Sequence, residues 1–195
     1  MKTKQTILSF ACAAGIVMLA LPFPSTAQNG NRGRNPACCQ NTSAEPLSAA
    51  EAKSLAFMRE EEKLARDVYR QMYVKWNLRI FDNIARSEQN HFDAIGTQLQ
   101  LHGIADPAAS TAPGVFADAT LSALYNQLMA KGLASLQDAL EVGLIIEKQD
   151  IKDLDAAMPV IANTAVKQVY TNLMAGSLNH LEAFDHALEI CIALQ

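Results

Sequence analysis

Six residues of this chain have side chains suited to metal coordination, at spacings a helix would gather on one face. Glu88 and His91 stand three apart in "ARSEQNHFDAIG", among Ile84, Phe92 and Ile95. Three residues is close to one helical turn, so this carboxylate and imidazole can reach a common centre. Glu147 and Asp150 repeat the spacing with two carboxylates, while Glu62 and His180 each interrupt an apolar stretch. Taken singly, each has an ordinary explanation: a Glu reaching solvent at the edge of a stripe, or a core histidine satisfied by a hydrogen bond. Four carboxylates and two imidazoles meeting at one level would repel and desolvate one another at several kcal/mol per ion, unless cations neutralised them. Oxygen and imidazole donors without thiolate suit iron or manganese in a site with open positions, with zinc also possible. Two metal ions fit the set better than one, because four carboxylates balance two divalent charges and can bridge between them.

Helices are needed to position these residues. Ser48 followed by Glu51 forms a capping box and opens a helix that runs to about Trp76, with Asn77 as its stop. A second pattern runs from about Ile80 to His102, where Gly103 ends it. The connection "IADPAASTAPGVFAD" is punctuated by Pro and Gly and leads into a short helix, "ATLSALYNQLMAKG". Ser135 with Asp138 marks the start of the third long helix, which Pro159 closes, and Asn163 opens the fourth, which continues almost to Gln195. No segment alternates with the period of a strand. The expected fold is all-α: a four-helix bundle with a long crossover between the second and third long helices, carrying a short extra helix. That is the connectivity of ferritin-like folds.

Unrolling each helix at about 100° per residue shows which side chains share a face. Leu55, Met58, Ala65, Tyr69, Met72, Tyr73 and Trp76 make one stripe with Glu62 near its middle, whereas Glu60 and Glu61 project elsewhere. Phe81, Ile84, Phe92, Ile95 and Leu99 form the second, with Glu88 and His91 inside it. Leu136, Leu140, Gly143, Ile151, Leu154 and Met158 form the third around Glu147 and Asp150, with Glu141 pointing away. Val166, Val169, Leu173, Phe184, Ala187, Cys191 and Leu194 form the fourth, with His180 in line. Every long helix thus breaks its apolar stripe near mid-length with a carboxylate or an imidazole.

The rest of the sequence narrows the setting. With 195 residues, half of them apolar, the chain suits one domain with a substantial core. A net charge of −4 offers no phosphate-binding footprint, so nucleic acid is not an expected partner. Lys2 and Lys4 precede the apolar run "ILSFACAAGIVMLALPF", and Ser25 and Ala27 are small residues placed as at a cleavage site. Residues 1–27 are therefore expected to be a signal peptide, with the protein exported to a periplasm or secreted. The run is short for a span and Pro22 and Pro24 break its end, so no stable membrane span is expected after cleavage. Residues 28–46 are rich in Asn, Gly and Pro and read as a disordered linker, leaving 47–195 as the bundle domain. Cys38 and Cys39 lie in that linker, and Cys191 on the apolar face of the last helix is a small core residue.

The set "MREEEKLARDVY", "IFDNIARSEQNH", "GVFADATLSALYNQLMAKG", "ALEVGLIIEKQDIKDL" and "GSLNHLEAF" resembles the ferritin-like di-iron carboxylate superfamily. More closely it resembles an uncharacterised ferritin-like family, domain of unknown function 2202, over about residues 48–190. The superfamily pattern takes one Glu from each of two helices and a Glu-x-x-His from each of the other two. Carried over, Glu62 matches the first-helix ligand, Glu88 and His91 the second-helix pair, Glu147 the third-helix carboxylate and His180 the fourth-helix imidazole. Ser177 stands three residues before His180 where the pattern has Glu. Asp150, one turn beyond Glu147, is expected to supply the missing carboxylate from the third helix.

The resemblance implies a centre that binds ferrous iron and reduces dioxygen or peroxide, with ferroxidase, peroxide-scavenging or substrate-oxidase activity as the implied reactions. The same ligands would serve a non-catalytic storage protein. A metal-free bundle whose core holds a hydrogen-bonded polar network is the third reading. Tyr69 and Tyr73 share the stripe with Glu62, where they could support the ligands or be redox-active, and packing is the role chiefly expected of them. His102 and His186 fall outside the six-ligand set and receive no role.

Overall fold

The computed structural model describes residues 46–109 and 111–194. The expected leader, most of the linker, Cys38 and Cys39 lie outside the described residues. Five helices follow in order: α1 Ala49–Trp76, α2 Arg79–Leu101, α3 Ala119–Gly132, α4 Leu136–Ala157 and α5 Thr164–Ala193, with a 3₁₀ turn over Met158–Val160. Among the described residues there is no strand. No helix among them is long and apolar enough to cross a membrane.

The helix ends follow the local chemistry of the sequence. Glu51 N–H donates to Ser48 Oγ at 3.2 Å and Ser48 N–H to Glu51 Oε2 at 2.9 Å, closing the capping box of α1. The Glu51 carboxylate also accepts from Ala162 N–H and Asn163 N–H at 2.9 and 2.8 Å. One side chain therefore joins the start of α1 to the approach of α5. Asn77 ends α1 in the left-handed conformation, φ 50°, which its short polar side chain tolerates. Asp118, Ser135 and Asn163 cap α3, α4 and α5 by accepting backbone N–H bonds.

Helix α1 packs against α2, α2 against α5, α5 against α4 and α4 against α1, so the four long helices close a ring; α3 lies over α1 and α4. Two apolar clusters fill the bundle. Tyr69, Met72, Phe81, Leu140 and Phe184 belong to one, and Leu55, Met58, Ile95, Leu99, Leu154, Tyr170 and Leu173 to the other. Burying each such side chain contributes about 1.5–3 kcal/mol. Gly143 lets α4 and α5 approach, since a Cβ there would sit 2.5 Å from the Phe184 ring. Cys191 is partly buried against the first cluster, as expected.

One expectation needs refinement. Glu60 and Glu61 do leave the stripe of Glu62, yet both are buried. The crossover and α3 cover that flank, so α1 is buried all round from Arg59 to Tyr69. Charged side chains of α1 hold the crossover down. Lys63 Nζ donates to Ala112 O at 2.8 Å, Asp67 accepts from Gly114 N–H at 3.0 Å, and Glu60 accepts from Ala117 N–H and Asp118 N–H. Arg59 pairs with Asp106 at 2.8 Å, reaches Phe92 O and lies over the Phe92 ring. An irregular segment laid on a core requires such partners for its buried backbone groups.

Candidate metal centre

A polar layer interrupts the apolar stripes of all four long helices. Helix periodicity sets Glu62 on α1, Glu88 and His91 on successive turns of α2, Glu147 and Asp150 on successive turns of α4, and His180 on α5. Glu62, Glu88 and Glu147 are 1–2 % exposed, and Asp150 and His180 remain buried.

Two overlapping groups emerge. Donor atoms of Glu62, Glu88 and His91 all lie within 4.8 Å of one another, as do those of Glu88, Glu147 and His180. Glu88 belongs to both. Its Oε2 lies 2.8 Å from His91 Nδ1 and its Oε1 lies 2.8 Å from His180 Nδ1. His91 Nδ1 is also 3.3 Å from Glu62 Oε2, and His180 Nδ1 is 3.5 Å from Glu147 Oε2. The two imidazole rings face each other at 5.6 Å with 28° between their planes. Asp150 stands in the same layer outside both groups.

The surroundings orient these side chains. Tyr69 Oη donates to Glu147 Oε1 at 2.6 Å, and Ser177 Oγ donates to Asp150 Oδ2. His180 Nε2 lies 2.9 Å from Ser87 Oγ. An Nε2–H donated to that hydroxyl leaves the Nδ1 lone pair facing Glu88 and Glu147, the arrangement a metal-ligating histidine adopts. Gly176 makes room for His91, because a Cβ there would sit 2.6 Å from its Nε2. Sequence reasoning placed Tyr69 beside the ligands but favoured packing for it, whereas it also binds Glu147; it missed Ser87 and Gly176 entirely. Ser177 carried a signal, since it stands where the expected pattern has a carboxylate, and it binds Asp150, the acid expected in that role.

Satisfaction of the buried atoms tests whether this set fits cations. Glu62 Oε1, Glu88 Oε1, Asp150 Oδ1 and His180 Nδ1 are buried with no hydrogen-bond partner. The 2.8 Å approach of His180 Nδ1 to Glu88 Oε1 is a charge contact without hydrogen-bond alignment. Buried polar atoms almost always find partners, so four orphans directed into one layer fit a site built for ions.

The electrostatics agree. Burial, then the charges of Asp150 and Glu88, pushes the Glu62 carboxyl well above its ordinary value. Burial raises Glu147 to about 8 against the pull of His180, and raises Asp150 to about 7 against the Ser177 hydrogen bond. Burial opposes ionisation of Glu88 as well, but the close His180 and His91 imidazoles outweigh it and hold its pKa at about 2. Burial would lower His180, but Glu147 and Glu88 raise it to about 10. Without cations the layer can reduce its repulsion only by retaining protons.

Comparison with known proteins places these residues in a family. The family described as an uncharacterized protein domain (DUF2202) matches residues 51–191, which include all six. The uncharacterized protein MJ0754 of Methanocaldococcus jannaschii is 49% identical over 140 residues, covering 72% of this chain and 76% of that protein. A crystal structure of hypothetical protein MJ0754 superposes with a TM-score of 0.73 at 48% identity, over 74% of this chain and 83% of that one.

Proposed function

The chain belongs to the DUF2202 family, and from that premise we propose that it is a ferritin-like carboxylate protein holding two divalent metal ions, iron first and manganese or zinc as alternatives. Glu62 and His91 would hold one ion, Glu147 and His180 the other, with Glu88 shared between them and Asp150 as the sixth ligand. The observation that carries this reading is the pair of carboxylate–imidazole groups sharing Glu88, with buried donor atoms that no described residue satisfies. Bound iron would supply the one-electron redox steps that reduce dioxygen or peroxide.

The chain's own residues would prepare that chemistry. Tyr69 holds a proton between its Oη and Glu147 Oε1, and Ser177 and Ser87 fix Asp150 and His180. The apolar clusters above and below the layer exclude water and strengthen electrostatic interactions inside it. The charged start and apolar run of residues 1–27 support export to a periplasm or the outside.

Elemental analysis of protein purified without chelator, followed by aerobic addition of ferrous iron with oxygen uptake recorded, tests the reading. About two metal ions per chain and an oxygen uptake that vanishes in Glu88→Ala are expected. Binding without oxygen uptake would assign the protein to storage. A chain that takes up no metal, and melts unchanged in EDTA, would leave only a buried polar network.

A further inference from the structure

Glu61 lies on the flank of α1 next to the metal layer and belongs to neither carboxylate–imidazole group. It is 5% exposed, and its Oε2 is buried without a hydrogen-bond partner. Its neighbour Glu60 is equally buried but accepts two backbone N–H bonds from the crossover. The cations of α1 cannot serve Glu61, because Arg59, Lys63 and Arg66 are engaged by Asp106, Asp67, Gln89 and the Ala112 carbonyl. A buried carboxylate oxygen with no donor calls for a ligand.

The Glu61 side chain borders a cavity of about 330 Å³ between α1, α3 and α4, lined also by Phe57, Thr120, Leu124, Gln149 and Asp153. Asp153 is half-buried, and Gln149 Nε2 donates to its Oδ2 at 2.6 Å. Glu61 and Asp153 thus face one cavity from α1 and α4. Inward, Glu61 is followed by Glu62 on α1, and Asp153 stands about one turn beyond Asp150 on α4. The two acids at the cavity are thus the neighbours along their helices of two acids in the polar layer. Each water takes roughly 30 Å³, so the cavity has room for an ion that keeps much of its hydration shell. Two hard oxygen donors with retained waters suit a small divalent cation.

We propose that Glu61 and Asp153 form an outer station that captures a hydrated divalent cation from the cavity and passes it inward toward Asp150 and Glu62. This rests on the reading of the inner layer as a cation-binding centre. With two carboxylates among otherwise neutral lining residues, against four carboxylates and two imidazoles in the layer, the station binds more weakly than the centre, as a transfer site must. Gln149 acts by holding Asp153 toward the cavity.

Titration of the EDTA-stripped full chain with Mn²⁺ alone, followed by the EPR signal of the free ion and by stopped flow, tests the station. The wild type is expected to bind two ions tightly and a third more weakly. Glu61→Gln and Asp153→Asn should each lose the third, keep the two tight ions and load them at least tenfold more slowly. Glu88→Ala should lose the tight ions and keep the weak one. Asp155→Asn, at an exposed acid on the same helix, should change nothing. An unchanged third site and loading rate in both Glu61→Gln and Asp153→Asn would overturn the station and leave the centre standing. Equal slowing in Asp155→Asn would reduce the effect to general charge and overturn the station as well. A wild-type chain that binds no Mn²⁺ would overturn the reading on which the station rests.

Discussion

Two buried clusters of charge sit on different faces of α1, and they resolve the cost of burial in opposite ways. On the crossover side, Asp67 accepts from Lys63 at 2.6 Å, from Arg66 at 2.9 and 3.1 Å, and from Gly114 N–H at 3.0 Å. Arg59 has Asp106 and Glu60 has two backbone donors, so each charge meets a partner within the chain. On the bundle side, Glu62, Glu88, Glu147 and Asp150 meet two imidazoles and the hydroxyls of Tyr69 and Ser177, and still leave buried oxygens unmatched among the described residues. The contrast separates charge that fastens a loop from charge left without compensation inside the bundle.

Asp67→Ala should have the largest effect, because it strands Lys63 and Arg66 without their buried counter-ion. A loss of about 3–5 kcal/mol is expected, read as a shift in the urea midpoint of EDTA-treated protein. A loss no larger than that of an exposed substitution would erase the distinction between the clusters. Next comes metal itself. Mn²⁺ at ten times its dissociation constant should stabilise the wild type by about 1.4 kcal/mol per site, while Glu88→Ala melts alike with and without it. Differential scanning calorimetry measures both.

The pH profile of metal-free protein sharpens the contrast further. Glu51 is held at about 2 by backbone bonds from Asn163 and Ser48, and Glu88 at about 2 by its histidines. Both contribute stability that is present above their unfolded values and is lost as pH falls toward 2. Glu147 at about 8 and Asp150 at about 7 act in the reverse sense. Their folded forms keep protons the unfolded chain has released, so stability declines as pH rises from about 4 toward 8. His180, raised to about 10, extends the decline, since its contribution is full below about 6.5 and gone above 10. Chemical denaturation across pH 3–9 should show a maximum near pH 4–5 for metal-free protein, and Glu147→Gln should flatten the alkaline side. A profile that keeps rising to pH 8 would show that the layer does not repel itself. The smallest effect belongs to Ser177→Ala, which removes one hydrogen bond to Asp150. It should cost about 1 kcal/mol in the metal-free state, measured by the same denaturation.

Much of this was legible before any coordinates. The capping box at Ser48 and Glu51, the stop at Asn77 and the caps at Ser135 and Asn163 are local hydrogen-bond chemistry, and the helices begin and end there within a residue or two. The six polar residues were legible because each interrupts an apolar stripe at helical spacing. The ionic residues of α1 were not. Arg59, Lys63, Arg66 and Asp67 are arranged like an ordinary solvated face, and only the crossover folding back across them makes them buried. Glu61 was set aside for the same reason, since periodicity reports which face a residue takes and not what covers that face.

The sequence by itself determined the helices, their order and the residues each would turn toward the bundle axis, because capping and amphipathic periodicity act over a few neighbouring positions. Tertiary structure alone decided that Glu88 would lie between two histidines, that Ser177 would bind Asp150, and that Glu61 would face a cavity beside the layer. Ser177 and Asp150 are 27 positions apart, and Glu88 and His180 are 92 apart. Their distances depend on how side chains of different helices interlock, which no single helix encodes.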